Sequence, residues 1–310
     1  MYDMKTVSTQ AELDAAIKAG EGMKIIAPGI YEGVPEHIYH GDSFPAPCLS
    51  TGALKHLLMK SPQVAYINHP ALGRFMPEED ESKFDIGTAA HSLLLEGVDS
   101  VAVIEADSWR TKEAKEARDF ARLDGKIPLL RAKYDEVVLM VDAAKRFLAG
   151  SELRINDLQA EGRSERTFVW VEDGIWFKAR PDWMPLDDAY ILDYKTTGVS
   201  ANPEGIERLI LNMGYEIQDW LYKRGVYMLT GKVPRFVFLF QENKAPYLCS
   251  LIELSPQFAD MGSRAERGIE IWKKCLASDC WPGYPSRICN VEPPVWAFTQ
   301  WEASQQGEGI

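Results

Sequence analysis

Two aspartates and a lysine sit close together in mid-chain. The run Phe177-Lys178-Ala179-Arg180-Pro181-Asp182 ends in one acid, and Ile191-Leu192-Asp193-Tyr194-Lys195-Thr196-Thr197 carries the other beside the lysine. Side chains of an extended strand alternate faces, so Asp193 and Lys195 point one way and Tyr194 the other. If the stretch ending at Asp182 pairs alongside, two carboxylates and an ammonium share one patch. Hard divalent cations take oxygen ligands, and Mg²⁺ in particular is held by one or two carboxylates with waters and substrate phosphates. A lysine beside such an ion can orient an attacking water and offset charge on a phosphate oxygen. The set suits phosphodiester hydrolysis. Asp193 stands in an otherwise apolar run, where an unpartnered carboxylate is costly, so both acids read as metal ligands rather than as turn or surface charges.

Three further groups are drawn to this set. His91 lies on a small-residue helix, Gly87-Thr88-Ala89-Ala90-His91. A lone histidine there is usually a satisfied core or surface group. Beside two aspartates its imidazole can complete the coordination of a cation. Glu96, five positions on, falls about 140° around the helix and off that face. Gln218 and Tyr222 are spaced i, i+4 on one helix face, where an amide and a phenol can meet a DNA backbone or simply pack. Glu165, in Arg163-Ser164-Glu165-Arg166, is either a further acid of the site or a solvated charge. Cys275, Cys280 and Cys289 lack the tight spacing of zinc or iron–sulfur ligands.

The elements that must position these residues read as follows. Residues 1–48 form a leader with a helix over Gln10 to Ala19, punctuated by Pro28-Gly29, Pro35 and Pro45-Ala46-Pro47. Ser50 or Thr51 caps a helix to Met59, and Ile86 to Glu96 is a helix whose small residues allow close packing. From Ala106 to Ala149 the pattern is charged and helical, broken near Gly125 and Pro128. A hairpin then turns at Asp173-Gly174, and its second strand, Ile175 to Asp182, continues through a turn into Tyr190 to Thr197, giving three consecutive antiparallel strands. One helix covers Asn212 to Thr230. Val233 to Gln241 and Tyr247 to Leu254 form a strand pair, and Ser255-Pro256 starts a last helix through Leu276. The Pro- and Trp-rich tail from Cys280 packs irregularly on the surface.

The 310 residues, 46% of them hydrophobic, fit one elaborated α/β domain. No run reaches the roughly 18–20 apolar residues of a membrane span, and Met1-Tyr2-Asp3-Met4-Lys5 opens no signal-like stretch, so the expected location is the cytoplasm. A net charge of −12 argues against a non-specific nucleic-acid coat. It leaves room for an enclosed positive groove: Arg110 to Arg146 holds ten Lys/Arg against seven Asp/Glu. The five cysteines are expected as reduced thiols. No Gly-x4-Gly-Lys-Ser/Thr loop occurs, which removes a nucleotide-binding ATPase from consideration.

Histidine, aspartate, aspartate-x-lysine and glutamine-x3-tyrosine, in that order, resemble the RecB-like branch of the PD-(D/E)XK nucleases. More closely, Leu49-Ser50 to Leu58, Gly87 to Glu96, Arg180-Pro181-Asp182, Leu192 to Thr197 and Gln218 to Tyr222 resemble the exonuclease VIII (RecE) group, and Tyr39-His40 and Trp281-Pro282-Gly283-Tyr284 look like its phage and prophage members. The resemblance implies an α/β, restriction-endonuclease-like core: a central mixed sheet flanked by helices, over residues 49–310, with a helical insertion at about 106–150. It implies metal ligation by His91, Asp182, Asp193 and the Tyr194 backbone carbonyl, catalysis by Asp182, Asp193 and Lys195, and DNA contacts from Gln218 and Tyr222. Mg²⁺, or Mn²⁺ in its place, would be the cofactor. The group degrades linear double-stranded DNA from 5′ ends to leave 3′ overhangs, as a ring-like homotetramer beside a RecT-like strand-annealing protein in the bacterial or phage-infected cell. Some relatives, of the AddB type, hold an iron–sulfur cluster through one upstream and three C-terminal cysteines. Here Ser61-Pro62-Gln63 stands at the upstream position and Cys48 lies thirteen residues earlier, so no cluster is expected. Rival readings are an endonuclease on the same core and a DNA-end-binding recombination or anti-restriction factor with a vestigial site.

Overall fold

The computed structural model describes residues 4–73, 85–97 and 100–305. Its first part runs β1 (Lys5–Val7), α1 (Gln10–Ala19), β2 (Met23–Ile25), β3 (Gly29–Tyr31), α2 (Glu36–His40), β4 (Cys48–Leu49), α3 (Thr51–Met59) and α4 (Pro62–Ile67). Thr9 and Glu12 form a capping box that starts α1. Ser50 and Ser61 cap α3 and α4 through their side chains. Next come α5 (Asp85–His91), which passes directly into a π-helical turn (Ser92–Glu96), then β5 (Val101–Ile104), α6 (Lys112–Leu123), β6 (Ile127–Leu130), α7 (Arg131–Gly150) and α8 (Leu158–Glu161). The charged 106–150 region therefore holds two helices with a strand between them, and β6 pairs in parallel with β5.

The central strands are β7 (Gly162–Ser164), β8 (Thr167–Glu172), β9 (Ile175–Ala179), β10 (Trp183–Pro185) and β11 (Tyr190–Thr197). They are followed by α9 (Glu207–Met213), α10 (Tyr215–Thr230), β12 (Arg235–Glu242), β13 (Cys249–Glu253), α11 (Pro256–Gly262), α12 (Arg264–Ser278) and α13 (Val295–Gln305). A five-stranded mixed sheet has the order β13-β12-β11-β10-β7, with β11 and β12 parallel and the other pairs antiparallel. A four-stranded sheet has the order β3-β8-β9-β4. The expected mixed sheet flanked by helices is what the chain forms.

β11 and β12 are covered on both faces and buried along most of their length, as interior parallel strands are. Ile191, Phe236, Phe238 and Phe240 pack on one face against Ile217 and Leu221 of α10. Leu192, Tyr194, Val237 and Leu239 pack on the other, with Ala89 and Ala90 of α5 and Val137 and Met140 of α7. The small residues bring α5 close: a Cβ at Gly87 would lie 2.9 Å from Thr196 Oγ1. α10 also touches β8 and β9, so it bridges the two sheets.

Several boundaries differ from the sequence reading. The hairpin turn at Asp173-Gly174 has φ of 48° and 77°, the left-handed pair that a two-residue turn requires. The strand entered there ends at Ala179, however, and β9 does not pair with β11. At Arg180-Pro181 the chain leaves the four-stranded sheet, and β10 joins the five-stranded one. Proline has no N–H to give a ladder, which marks the exit. The helix read over Asn212 to Thr230 is two helices, because Gly214 at φ 61° closes α9. The last helix likewise breaks after Gly262, where a Cβ would lie 2.5 Å from the Glu216 carbonyl oxygen. The tail, read as irregular, includes the exposed helix α13.

Candidate active site

β11 supplies the platform. On one side it pairs with β12 along its whole length; on the other, β10 covers it only at Trp183 opposite Leu192. Beyond Leu192 that edge is open, and the crossover acid Asp182 fills it. The Tyr194 N–H donates to Asp182 Oδ2 at 2.8 Å. In a strand the N–H and C=O of one residue face the same edge, so the Tyr194 carbonyl also opens toward Asp182. A second crossover, from β7 to β8, runs alongside. There Glu165 takes a left-handed φ of 55°, and its N–H donates to the Asp182 carbonyl at 3.1 Å. Both acids thus lie where the chain passes between the sheets.

His91 arrives from the Tyr194 face of the sheet, its ring 6.5 Å from the Tyr194 ring. Its Nε2 lies 3.3 Å from Asp182 Oδ2 and 3.5 Å from Glu165 Oε1. The donor atoms of His91, Glu165 and Asp182 all fall within 4.8 Å of one another. Arg180, itself buried, holds Glu165 from behind: its Nε lies 3.8 Å from Glu165 Oε2 and donates to Thr167 Oγ1 at 3.1 Å. Glu96 is exposed and outside this group, at the end of the π-helical turn that follows α5.

Asp193 and Lys195 project from the opposite face of β11, toward α10. Asp193 is wholly buried. Its Oδ1 pairs with the Lys195 ammonium, and its Oδ2 accepts the Gln218 amide at 2.6 Å. Gln218, read as a DNA contact, is buried and orients a carboxylate instead. Tyr222, one turn further along α10, is also buried and lines a separate cavity. The structure therefore does not gather all the acids on one face. Asp182 lies in the plane of the sheet between two halves: it touches His91 on one side, beside Glu165, and acts through its charge on Asp193 and Lys195 on the other. Two clefts, of about 640 and 620 Å³, flank the site and share Thr88 and His91.

The charges are mutually dependent. Burial opposes ionisation of Asp182, but the Lys195 ammonium, His91 and the Tyr194 N–H outweigh it and hold the carboxyl below its usual range. Burial and the Asp182 charge push Asp193 up to about 6 and Glu165 up to about 8. Burial lowers Lys195, yet the Asp193 and Asp182 charges raise it above the ordinary lysine range, so it stays an ammonium. Carboxyls driven upward by a neighbouring carboxylate are what a cation would relieve. An imidazole with two carboxylates is a donor set for a divalent ion, and the group fits one.

Two predictions follow from these contacts. Gln218→Ala removes the side-chain amide that donates to Asp193 and should lower activity about 10–100-fold, the usual effect of losing an outer-shell partner, and, by leaving a buried carboxylate oxygen unpaired, should cost about 1–3 kcal/mol of stability. Steady-state rates and thermal denaturation check this together. For His91, burial lowers the pKa, but the Asp182 and Glu165 charges raise it to about 9. A folded-state pKa above the ordinary 6.5 favours folding fully below about pH 6.5, and the benefit is lost as pH rises through about 9. In chelator, His91→Gln should therefore be less stable than the parent at pH 6, with the difference closing by pH 10, read from urea midpoints.

The cysteines take no part in this site. Cys48 and Cys275 are buried and Cys280 and Cys289 exposed. Glu165 is the site residue the sequence left undecided, since nothing in its local pattern tells a crossover acid from a solvated one.

A crystal structure from Eubacterium rectale, of a protein named "Putative exonuclease", aligns with a TM-score of 0.55 at 12% identity, covering 82% of this chain and 93% of that one. At that identity the likeness is one of fold. The crystal structure of SSO0001 aligns at 14% identity over 67% of this chain and all of the other, but its TM-score of 0.26 carries no argument. No curated protein matches in sequence. The model of the PDDEXK-like domain of unknown function DUF3799 matches residues 53–292, a span that includes His91, Glu165, Asp182, Asp193, Lys195 and Gln218, and the chain belongs to that family.

Proposed function

We propose that this protein is a divalent-metal-dependent deoxyribonuclease of the exonuclease VIII (RecE) type, degrading linear double-stranded DNA from 5′ ends and leaving 3′ overhangs for strand annealing. The observation that carries the reading is the cluster of Asp182, His91 and Glu165 at the open edge of β11, with the Asp193–Lys195 pair next to it on the face toward α10. The family match and the name of the Eubacterium rectale protein agree with it.

His91, Asp182, Glu165 and the Tyr194 carbonyl would hold the cation, Mg²⁺ or Mn²⁺, with Asp193 adjoining through Asp182. Bound there, such an ion polarises a phosphate and lowers the pKa of water. The chain's own residues do the rest. Lys195, held protonated, offsets developing charge on a phosphate oxygen and orients the nucleophilic water rather than acting as a free base. Gln218 and Lys195 fix both oxygens of Asp193, so the carboxylate does not rotate between turnovers. Arg180 restrains Glu165.

Direction, ring-like tetrameric assembly and a RecT-like annealing partner rest on the sequence resemblance. Among the described residues no helix is long and apolar enough to cross a membrane, in keeping with the proposed action in the cytoplasm. The deciding experiment digests linear duplex DNA labelled at each terminus in turn, with and without Mg²⁺. Mg²⁺-dependent release of the 5′ label first supports the reading. Cutting of covalently closed circles would make the protein an endonuclease on the same core. Absence of any nucleotide release, with DNA ends still bound, would make it an end-binding factor.

A further inference from the structure

Tyr39, in the short helix α2, is buried and touches two cations. Alternation along β9 brings them there. Phe177 and Ala179 face the main core with α10, so Lys178, and Arg180 one step past the end of the strand, turn toward residues 1–48. The Lys178 ammonium donates to the Tyr39 carbonyl and lies 4.9 Å from the ring centre. The Arg180 guanidinium covers the same ring at 3.9 Å, well within the reach of a cation–π contact. Gripped by its carbonyl and by its ring, Tyr39 is fixed to the segment that leads into Asp182.

Arg180 is 9% exposed. A guanidinium taken that far from water must have its donors and its charge answered. Its Nη2 donates to the Val34 carbonyl at 2.9 Å and its Nε to the fully buried Thr167 hydroxyl at 3.1 Å. The charge is answered by Glu165, whose Oε2 lies 3.8 Å from Nε while its Oε1 lies 3.5 Å from His91 Nε2. At 3.8 Å the Arg180–Glu165 contact is an ion pair and not a hydrogen bond, so its geometry depends on what else holds the guanidinium. Two of those holds, the Val34 carbonyl and the Tyr39 ring, come from residues 1–48.

We propose that Tyr39 is a positioning residue of the metal site: by stacking on Arg180 it fixes the guanidinium against Glu165, so that the Glu165 carboxylate meets a cation together with His91 and Asp182. The proposal rests on the metal-site reading and extends it to residues 1–48, which then complete the site as well as cover the core. The two hydrogen bonds of Arg180 lie in the guanidinium plane, where its donors point. A ring against the face restrains the remaining motion, out of that plane. Glu165 needs such restraint because it stands on a crossover between β7 and β8, at a left-handed φ of 55° and outside any strand ladder.

The probe is Mn²⁺, titrated by calorimetry into the 310-residue chain after metal has been stripped and without DNA. Tyr39→Leu should weaken Mn²⁺ binding about tenfold or more, within the 10–100-fold usual for an outer-shell partner. Tyr39→Phe, which keeps the ring face, should stay within about twofold of the parent. In a Glu165→Gln background, Tyr39→Leu should cost nothing further, because residues acting through one carboxylate are coupled whereas independent ones add. Loss of packing alone would subtract the same factor in both backgrounds, so the cycle separates positioning from a merely structural role. If Tyr39→Leu does not fold, Arg180→Lys, which keeps the charge but gives up the planar fork and face, takes its place in the same cycle. Undiminished Mn²⁺ affinity in the folded variant, or equal losses with and without Glu165, overturns the proposal while the metal site stands. A loss in Tyr39→Phe as large as in Tyr39→Leu assigns the effect to the phenol and overturns the stacking role. A parent that takes up no Mn²⁺ overturns the metal-site reading, and the proposal with it.

Discussion

Asp182→Asn and Lys195→Ala should each lower the rate of linear duplex hydrolysis by about 10³-fold or more, yet only the first should lose its cation. Asp182 stands between the two halves of the site: its Oδ2 meets His91 and the Tyr194 N–H, and its charge acts on Asp193, Glu165 and Lys195. The asparagine keeps an oxygen for the Tyr194 N–H and keeps the shape, so the fold survives while the central negative charge disappears. Lys195→Ala leaves the His91, Glu165 and Asp182 group intact and removes the ammonium that answers charge on the reacting phosphate. Loss of one such positioned donor typically costs about 10²–10³-fold, and here the lost group carries a full charge. Asp193, already raised to about 6, can take up a proton and keep its Gln218 bond, which limits the structural damage. Titration calorimetry with Mn²⁺ and single-turnover hydrolysis separate the two variants. Near-parental turnover in Lys195→Ala, or undisturbed Mn²⁺ affinity in Asp182→Asn, would remove the roles assigned to them.

Gly162→Ala should be the most damaging small substitution in the frame of the site, costing about 3 kcal/mol of stability, the upper end of overpacking effects. A Cβ there would lie 2.2 Å from Trp183 Cζ2 and 2.4 Å from the Met184 carbonyl oxygen. Neither neighbour can yield easily. Trp183 is fully buried and its indole N–H donates to the Leu158 carbonyl at 2.8 Å, while the Met184 oxygen is backbone in the β7–β10 pair. β7 leads into the Glu165 crossover and β10 follows Asp182, so relief of the clash would also pull the two acids apart, and activity should fall with stability. Gly150→Ala, with no heavy atom within 4 Å of the new Cβ, should stay within about 0.5 kcal/mol. Urea denaturation of both variants tests the contrast, and equal midpoints would contradict this account of the packing.

How far the site could be read from the chain depends on the range of the interaction. Strand alternation alone places Asp193 beside Lys195 and turns Tyr194 away, and the ion pair forms accordingly. The Asp173-Gly174 turn and the serine caps are equally local, because a left-handed pair and a side-chain acceptor act within a few residues. The expectation that Asp182 would pair on a strand beside Asp193 was too local. Pro181 ends the ladder, and the acid comes to β11 from a crossover between two sheets. Gln218 shows the same limit from the other direction: its i, i+4 relation to Tyr222 is real, but the burial that aims it at Asp193 depends on how α10 seats between the sheets.

The amino-acid sequence by itself determined the alternating faces of β11, the caps and turns, the apolar pattern of the central strands and the identity of the acid, base and cation groups, since each arises from bonded geometry or from neighbours a few residues away. Only the tertiary structure decided that Glu165 joins His91 and Asp182 and that Asp193 faces the opposite side of the sheet. Those outcomes depend on which strand edge is left uncovered and which charges are removed from water together, and both are properties of packing between segments far apart in the chain.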